Sequence, residues 1–479
     1  MVVWVILVAC GFRLVVAGFT GLGIDESYMV AASGRFSASY FDHPLASWWL
    51  ELGSRWVFGG EAPWVVRLPF VGLSGVSSGL LFGLTRRLYG ARAGFWAVLA
   101  YSLSPVFSLA VGCWVLPDGP LDAALLAMAY AFVRAVGVVE TPAPRWWWGV
   151  GVFAGLAMLS KYNAMLVLGG AGLVLLTDSA ARRELRRFGP WGAVLLAALM
   201  FAPVVYWNSI HHWQSFGYQG GRAEGARLRW TAPFSIWGGE ALFVLPWIWV
   251  PMVVLMVRAL WRGPAERRGW TLGLMAVIPV VLFAVVGVWS QTRILYHWAA
   301  PGYLMLFPML GDWAARRRPV VVASFSAFLL AGAAILLVAA LNFPTPSRLA
   351  LAFAPGKSPL LQAVDWDSIT AEIPPGTQAV AALRWYDAGK LGYALRGRLP
   401  VTVFGPEPHE FANSVPVSGL LGKNILLIAM PGDVSKLQTQ YAPDFARLVP
   451  GPALVVAHEG QVLLVIPTFL GEDLLKAPP

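Results

Sequence analysis

Long apolar runs, separated by short polar connections, dominate the first 342 positions. They fall at 2–20, 67–84, 93–112, 121–139, 146–160, 162–177, 190–207, 235–257, 270–289, 295–311 and 319–342. Crossing the hydrocarbon core takes about 20 apolar residues in a helix, so the pattern predicts a polytopic α-helical membrane protein with about eleven spans. The fifth and sixth runs are short, which leaves room for a broken helix pair. The run from Val2 to Phe19 has no basic region before it and no small-residue cleavage site after it. It reads as a retained first span rather than a signal peptide.

After Pro344 the runs shorten to strand length, at Ala379–Ala382, Val401–Phe404 and Ile425–Ala429. Ala453–Ala457 and Val462–Ile466 flank Glu459-Gly460 and predict a hairpin. Asp387 is placed to cap a helix through Leu395. The expected organisation is a transmembrane domain over 1–342, with a long first outer loop at about 21–66, and a small soluble α/β domain over 343–479.

Composition agrees: 58% of the residues are hydrophobic and only 13% charged. The net charge of +10 does not indicate nucleic-acid binding, because of where the charges lie. Residues 1–342 carry 25 Lys and Arg against 14 Asp and Glu, and residues 343–479 carry 10 against 11. The basic excess clusters in alternate short connections: Arg86, Arg87 and Arg92; Arg134 and Arg145; Arg182, Arg183, Arg186 and Arg187; Arg258, Arg262, Arg267 and Arg268; Arg316, Arg317 and Arg318. All five fall on one side if the N-terminus is cytoplasmic, the positive-inside pattern. Cys10 and Cys113 lie in or beside predicted spans and suggest neither a disulfide framework nor a metal site.

The opposite, outer side collects the unusual polar residues. The first loop holds Asp25, Glu26, Asp42, His43 and Glu51. The second holds Pro117-Asp118-Gly119-Pro120. Lys161, the only lysine in residues 1–342, stands between the fifth and sixth runs. Later loops hold His211, His212, Arg222, Glu224, Arg227 and Arg229, then Arg293 and His297. Each has a bland reading: a wet juxtamembrane loop for the carboxylates, snorkelling to the headgroups for Arg67 and Lys161. The functional reading is a general base among the acids and a compact cation for one anionic oxygen cluster at Lys161. Arg13 lies inside the first run, where a charge facing lipid is costly. It should face the protein interior or a wet cavity.

Six motifs resemble the bacterial members of glycosyltransferase family 39, the group of protein O-mannosyltransferases and lipid A aminoarabinose transferases. They are Asp25-Glu26, Tyr40-Phe41-Asp42-His43-Pro44-Leu45, Arg67-Leu68-Pro69, Pro117-Asp118-Gly119-Pro120-Leu121, Leu159-Ser160-Lys161-Tyr162 and Pro203-Val204-Val205-Tyr206-Trp207-Asn208. They run in order over about residues 20–310, and the first two, spaced within one outer loop, are the specific ones. The family's second proline after His-Pro is replaced by Leu45. The resemblance implies a GT-C fold, a sugar donor carried on a polyprenyl phosphate, and transfer on the periplasmic face of the bacterial inner membrane. It maps the catalytic candidate to Asp25, with Glu26 beside it, and the second acidic motif to Asp118.

The expected donor-phosphate set is therefore Asp118, Lys161, Arg67, Arg222 and Arg293. The expected substrate pocket is Tyr40, Asp42, His43 and His297. Glu26, Asp42 and His43 are open to a divalent metal ion but are not diagnostic of one, and no other cofactor is implied. The expected partners are the lipid-linked donor, a periplasmic glycan, lipid or protein acceptor, and membrane lipids, with no nucleic acid. A transporter or flippase of an anionic substrate is the alternative. Transporters tend to place ionisable groups near the bilayer midplane between repeats, whereas here they gather at outer loop mouths and no repeat is apparent.

Overall fold

The computed structural model describes residues 1–225, 228–342, 363–430, 432–458 and 461–478. The chain divides into two compact units: Met1–Val15 with Ser37–Ser47 and Arg67–Gly332, and Val16–Phe36 with Trp48–Val66 and Ala333–Pro479.

The first unit is a helical bundle. Among the described residues, six helices are long and apolar enough to cross a bilayer: Val2–Phe19, Pro63–Tyr89, Asp118–Val136, Phe188–Ile210, Pro246–Ala265 and Arg267–Val286. Ala164–Thr177 and Ser179–Arg186 add a seventh if that pair, bent by 89°, is one span. The predicted count of about eleven is not established by these lengths. Trp146–Ser160 is apolar but shorter. The expected eighth run is two helices, Ala232–Val244 and Pro246–Arg262, parted at Leu245 with φ +84°. Pro246 has no N–H to give the preceding turn, so the break falls where proline puts it.

Small residues let the helices approach closely, as is usual where lipid offers no hydrophobic drive for helices to associate. Gly170 lies against the backbone of Leu274 and Met275, and Gly311 against that of Ala93 and Ala97. The core between them is aromatic at its centre. Tyr101, Phe107 and Phe307 sit with ring centroids 5.0–5.5 Å apart. Arg13 is fully buried, as expected, and its Nε donates to the Ser108 carbonyl at 2.9 Å. That carbonyl belongs to a single π-helical turn, Val106–Ala110, so the partner is backbone rather than a carboxylate.

The second unit carries a five-stranded sheet in the order β2-β1-β3-β7-β4. The strands are β1 Ala379–Ala382, β2 Val401–Val403, β3 Ile425–Ile428, β4 Phe445–Pro450 and β7 Thr468–Leu474. β1 pairs parallel with both β2 and β3, and β7 is antiparallel to β3 and β4. β5 Leu454–His458 and β6 Gln461–Ile466 form the expected hairpin, although Glu459 and Gly460 at its tip lie outside the described residues. The helix expected from Asp387 begins earlier, at Trp385, and runs to Leu395 with Asp387 in its first turn.

The first outer loop is not irregular. It contains helices Ile24–Ala32 and Ala46–Phe58. Glu26 accepts from the Gly23 N–H at 2.8 Å, a local cap that sets the start of the first of these. The helix Pro63–Tyr89 also starts before the predicted boundary, which puts Arg67 in its second turn and buries it.

Substitution of Gly170 by leucine should drive a side chain into the carbonyl of Leu274. Overpacking of this kind costs about 1–3 kcal/mol. The variant should unfold at lower temperature in detergent than Gly172→Leu, whose site has nothing within 4 Å. Equal melting of the two would contradict this packing.

Candidate active site

Two helix ends of the first unit place a buried ion pair. Asp118 opens helix Asp118–Val136 behind Pro117, where the helix dipole favours an anion. Lys161 is the residue at which helix Trp146–Ser160 stops, in extended conformation with φ −157° and ψ +137°. A helix C-terminus favours a cation for the same reason. Lys161 Nζ lies 2.9 Å and 2.8 Å from the two Asp118 carboxylate oxygens. The side chains are only 9% and 2% exposed, so this lysine does not snorkel. An ammonium has three N–H groups. Two are spent on Asp118 and the third is left for a ligand.

The Tyr40–Pro44 motif packs beside this pair as a tight turn. Tyr40 N–H donates to the His43 carbonyl at 3.3 Å, and Ser39 pairs with Pro44. Helix Gln214–Gly221 braces it: Gln219 Nε2 donates to the Asp42 carbonyl at 2.5 Å, and the Phe41 and Tyr218 rings lie 4.9 Å apart. The His43 imidazole faces the same cavity as Lys161, and its Nδ1 is buried with no hydrogen-bond partner among the described residues. Burial first, and the Lys161 cation second, hold His43 down to about 3. His297 is lowered to about 4, again chiefly by burial, with Asp118 opposing. Both imidazoles are therefore neutral at pH 7.

Arg222 supplies a second cation. Its guanidinium sits 4.4 Å from the Tyr218 ring centroid and 5.0 Å from that of Trp298, and Nη2 donates to the Tyr218 hydroxyl at 2.6 Å. Two aromatic faces hold it in place. Lys161, Arg222, His43, Asn163 and Gln219 line a cavity of about 170 Å³ together with Leu282, Phe283, Val286, Ile294 and Trp298. Asn163 Nδ2 donates to the Trp298 carbonyl at 3.2 Å.

The remaining predicted residues are placed as follows. Tyr40 is buried in its turn, where its hydroxyl accepts from the Ser37 N–H at 3.1 Å. Asp42 is buried. Arg67 is buried in its helix and Arg293 is exposed, and neither lines the cavity. Arg229 Nη2 donates to the Ser290 carbonyl at 2.5 Å, a loop-to-loop tie. Arg227 lies outside the described residues. Asp25, exposed, and Glu26, buried, belong to the second unit, in the first turn of helix Ile24–Ala32. Among the described residues, no three His, Cys, Asp or Glu side chains are grouped to hold a metal ion.

Gln219, Tyr218, Asn163 and Trp298 were not singled out by sequence. Trp298 and Asn163 flank predicted residues, so proximity was the one available signal. Nothing in Tyr218-Gln219-Gly220-Gly221 announces a brace.

Residues 42–207 match the family model described as dolichyl-phosphate-mannose-protein mannosyltransferase. Solved structures of ArnT from Cupriavidus metallidurans align over 98% of this chain and 97% of theirs. The TM-score is 0.63 for the apo state at 17% identity, and 0.60 for the state bound to undecaprenyl phosphate at 18%. The chain carries the GT-C fold. The resemblance read from the six motifs holds with it. Among curated proteins, the chain is 24% identical over 318 residues to a lipid A galacturonosyltransferase, RgtD, of Rhizobium johnstonii. It is 25% identical over 301 residues to an undecaprenyl phosphate-α-4-amino-4-deoxy-L-arabinose arabinosyl transferase of Pectobacterium atrosepticum. The alignments span 62% and 59% of this chain, and 63% and 51% of the relatives' lengths.

Removing one partner of the buried pair strands the other charge. Lys161→Met should therefore destabilise the bundle by about 3–5 kcal/mol, and Asp118→Asn added to it should recover part of that loss. Thermal unfolding in detergent checks the cycle. Additive losses in the double variant would exclude a coupled pair. The two histidines make a pH prediction. Between about pH 6.5 and 4 the unfolded chain binds protons at His43 and His297 that the folded chain refuses. Their contribution to stability is whole above pH 6.5 and falls as the pH drops through that window. His43→Gln should flatten the acid side of a melting-temperature profile; an unchanged slope would remove His43 from this account.

Proposed function

We propose that this chain is an inner-membrane glycosyltransferase that moves a sugar from a polyprenyl-phosphate donor to an outer-face acceptor, a lipid A glycolipid in the first instance. The observation that carries the reading is the mixed lining of the cavity. Lys161, Arg222, His43 and Asn163 share it with Leu282, Phe283, Val286 and Ile294. A lipid-linked phosphate joins the same two chemistries, an anionic head and a hydrocarbon chain. The relatives support the choice of carrier and acceptor, since their names specify undecaprenyl phosphate and lipid A.

In the transfer, an acceptor oxygen forms a bond to the anomeric carbon as the bond from that carbon to the phosphate oxygen breaks. The bonding pair stays on the phosphate, whose charge rises from monoanion towards dianion. Lys161 and Arg222 stabilise that charge as it develops, and they do so best in a site fixed in advance. Asp118 holds Lys161 in position. His43 and His297, being neutral, add no charge and leave the cations dominant. Asp25 is the candidate for taking the acceptor proton, on the strength of its motif and its exposed place in the second unit. A phosphate acceptor would already be ionised and would leave Asp25 only an orienting role.

Purified protein in nanodiscs, supplied with undecaprenyl-phosphate-linked aminoarabinose or galacturonic acid and with lipid A, tests the reading by mass spectrometry of the product. Lys161→Ala should lower kcat/KM at least about a hundredfold, the scale on which loss of one preorganised donor acts, and should weaken binding of undecaprenyl phosphate. Asp25→Asn should lower kcat while carrier binding persists. Wild-type turnover in Lys161→Ala would overturn the phosphate site, and wild-type turnover in Asp25→Asn would overturn the base.

A further inference from the structure

The sheet of the second unit reverses direction at one point. The chain passes from β1 through helix Trp385–Leu395 to β2 on one side, then returns to β3 on the other side of β1. In open sheets with parallel strands, ligands bind outside the carboxyl ends of the strands at such a reversal. The two segments leaving β1 and β3 meet there, and Arg384 Nη2 pairs with Asp433 Oδ2 at 2.9 Å. The guanidinium also lies 5.9 Å from the Tyr386 ring centroid, and this ring is half exposed.

Asp387 completes the group. It is 93% buried, no described residue hydrogen-bonds to its carboxyl, and the charges acting on it are those of Arg384 and Asp433. Burial, opposed by Arg384, pushes it up to about 7. Its oxygens are not among the enclosed polar atoms that lack a partner, so the carboxyl opens outward and can accept from a ligand. The neighbouring Trp385 is already used, packed with Tyr28 at 5.0 Å and His409 at 4.9 Å. Tyr386 packs edge-on against Trp385 at 5.5 Å and keeps part of its surface exposed for a ligand.

The chemistry of the group restricts what it takes. Two carboxyl groups against one guanidinium disfavour a phosphate. Leu383-Arg384-Trp385 after β1 has none of the glycines that let a dinucleotide approach the backbone. Carboxyls that accept from adjacent hydroxyls, a guanidinium that donates to ring and hydroxyl oxygens, and an aromatic face for a C–H surface together fit a polyol ring. We infer that Arg384, Tyr386, Asp387 and Asp433 form a carbohydrate subsite that binds a neutral pyranose of the acceptor glycan. The inference rests on the proposed transfer to a glycolipid and adds to it a second place where acceptor is recognised.

The experiment is binding of dephosphorylated, deacylated lipopolysaccharide core oligosaccharide to the full chain in nanodiscs, by isothermal titration and saturation-transfer NMR. Wild type and Lys161→Ala should bind it equally, because the donor site is not involved. Asp387→Ala and Arg384→Ala should bind at least about tenfold more weakly, the loss expected for one charged hydrogen bond. Asp387→Asn, which keeps the shape and fold, should fall between. Steady-state kinetics of Asp387→Asn should show a raised KM for acceptor with KM for donor unchanged. Equal binding by wild type and all three variants would overturn the subsite, as would no binding by wild type. Failure of transfer itself, with oligosaccharide binding still lost in Asp387→Ala, would count against the proposed reaction and leave the subsite standing.

Discussion

The ion pair between Lys161 and Asp118 is the constraint on which the candidate site depends. Both side chains are buried in the protein, and a buried charge without its partner is costly. Each is stationed at the helix end whose dipole suits it, Asp118 at an N-terminus and Lys161 at a C-terminus. To meet, helices Asp118–Val136 and Trp146–Ser160 must pack along their length, and these two are in extensive contact. The pair thus fixes the height of one helix against the other. With Lys161 placed, the cavity wall beside it follows: Asn163 two residues on ties to the Trp298 carbonyl, and Trp298 in turn forms one face of the Arg222 clamp.

A comparable constraint orders the second unit. Gly389 lies directly on the backbone of Tyr28, and Gly392 on Ala31, so helix Trp385–Leu395 and helix Ile24–Ala32 approach as closely as two helices can. Lys390, between those glycines, is buried and donates to the Leu22 carbonyl and, at 3.0 Å, to that of Val364. The Tyr28 hydroxyl accepts from the Glu410 N–H at 2.9 Å. The helix bearing Asp25 and Glu26 therefore belongs to the second unit, packed on a helix some 360 positions later in the chain.

The helical membrane class, the small C-terminal sheet and most of its strands were legible because they rest on local signals. These signals are run length, basic clusters and period-two apolar stretches. Lys161 was legible as an oddity, the one lysine in a domain of arginines. Its partner was not, because 43 positions separate it from Asp118 and no local pattern relates them. The helices within the first loop were missed for a different reason. Their apolar faces are shorter than a span and their caps are polar, so against the long runs on either side they read as loop. Arg67 shows how one boundary changes a residue's meaning: a helix starting at 67 leaves it at the headgroups, and one starting at Pro63 takes it inside.

Why a lysine should stand at 161 follows from counting donors. Arginine spreads five N–H groups over a plane and satisfies a carboxylate bidentately along one edge. Filling the 118 carboxylate that way would point its remaining donors along directions set by the same plane. An ammonium instead spends two N–H groups on Asp118 and turns the third without moving its nitrogen. The cavity that Lys161 lines holds about 170 Å³, space that a larger guanidinium would take from the ligand. At position 222 the demand is opposite. There the cation lies 4.4 Å from the Tyr218 ring centroid and 5.0 Å from that of Trp298, and a planar, weakly hydrated guanidinium suits aromatic faces better than a point charge. The two cations are thus matched to different tasks, one bound to a buried anion with a donor to spare, the other set beside two aromatic rings. Exchanging them should injure the site even though its net charge is kept.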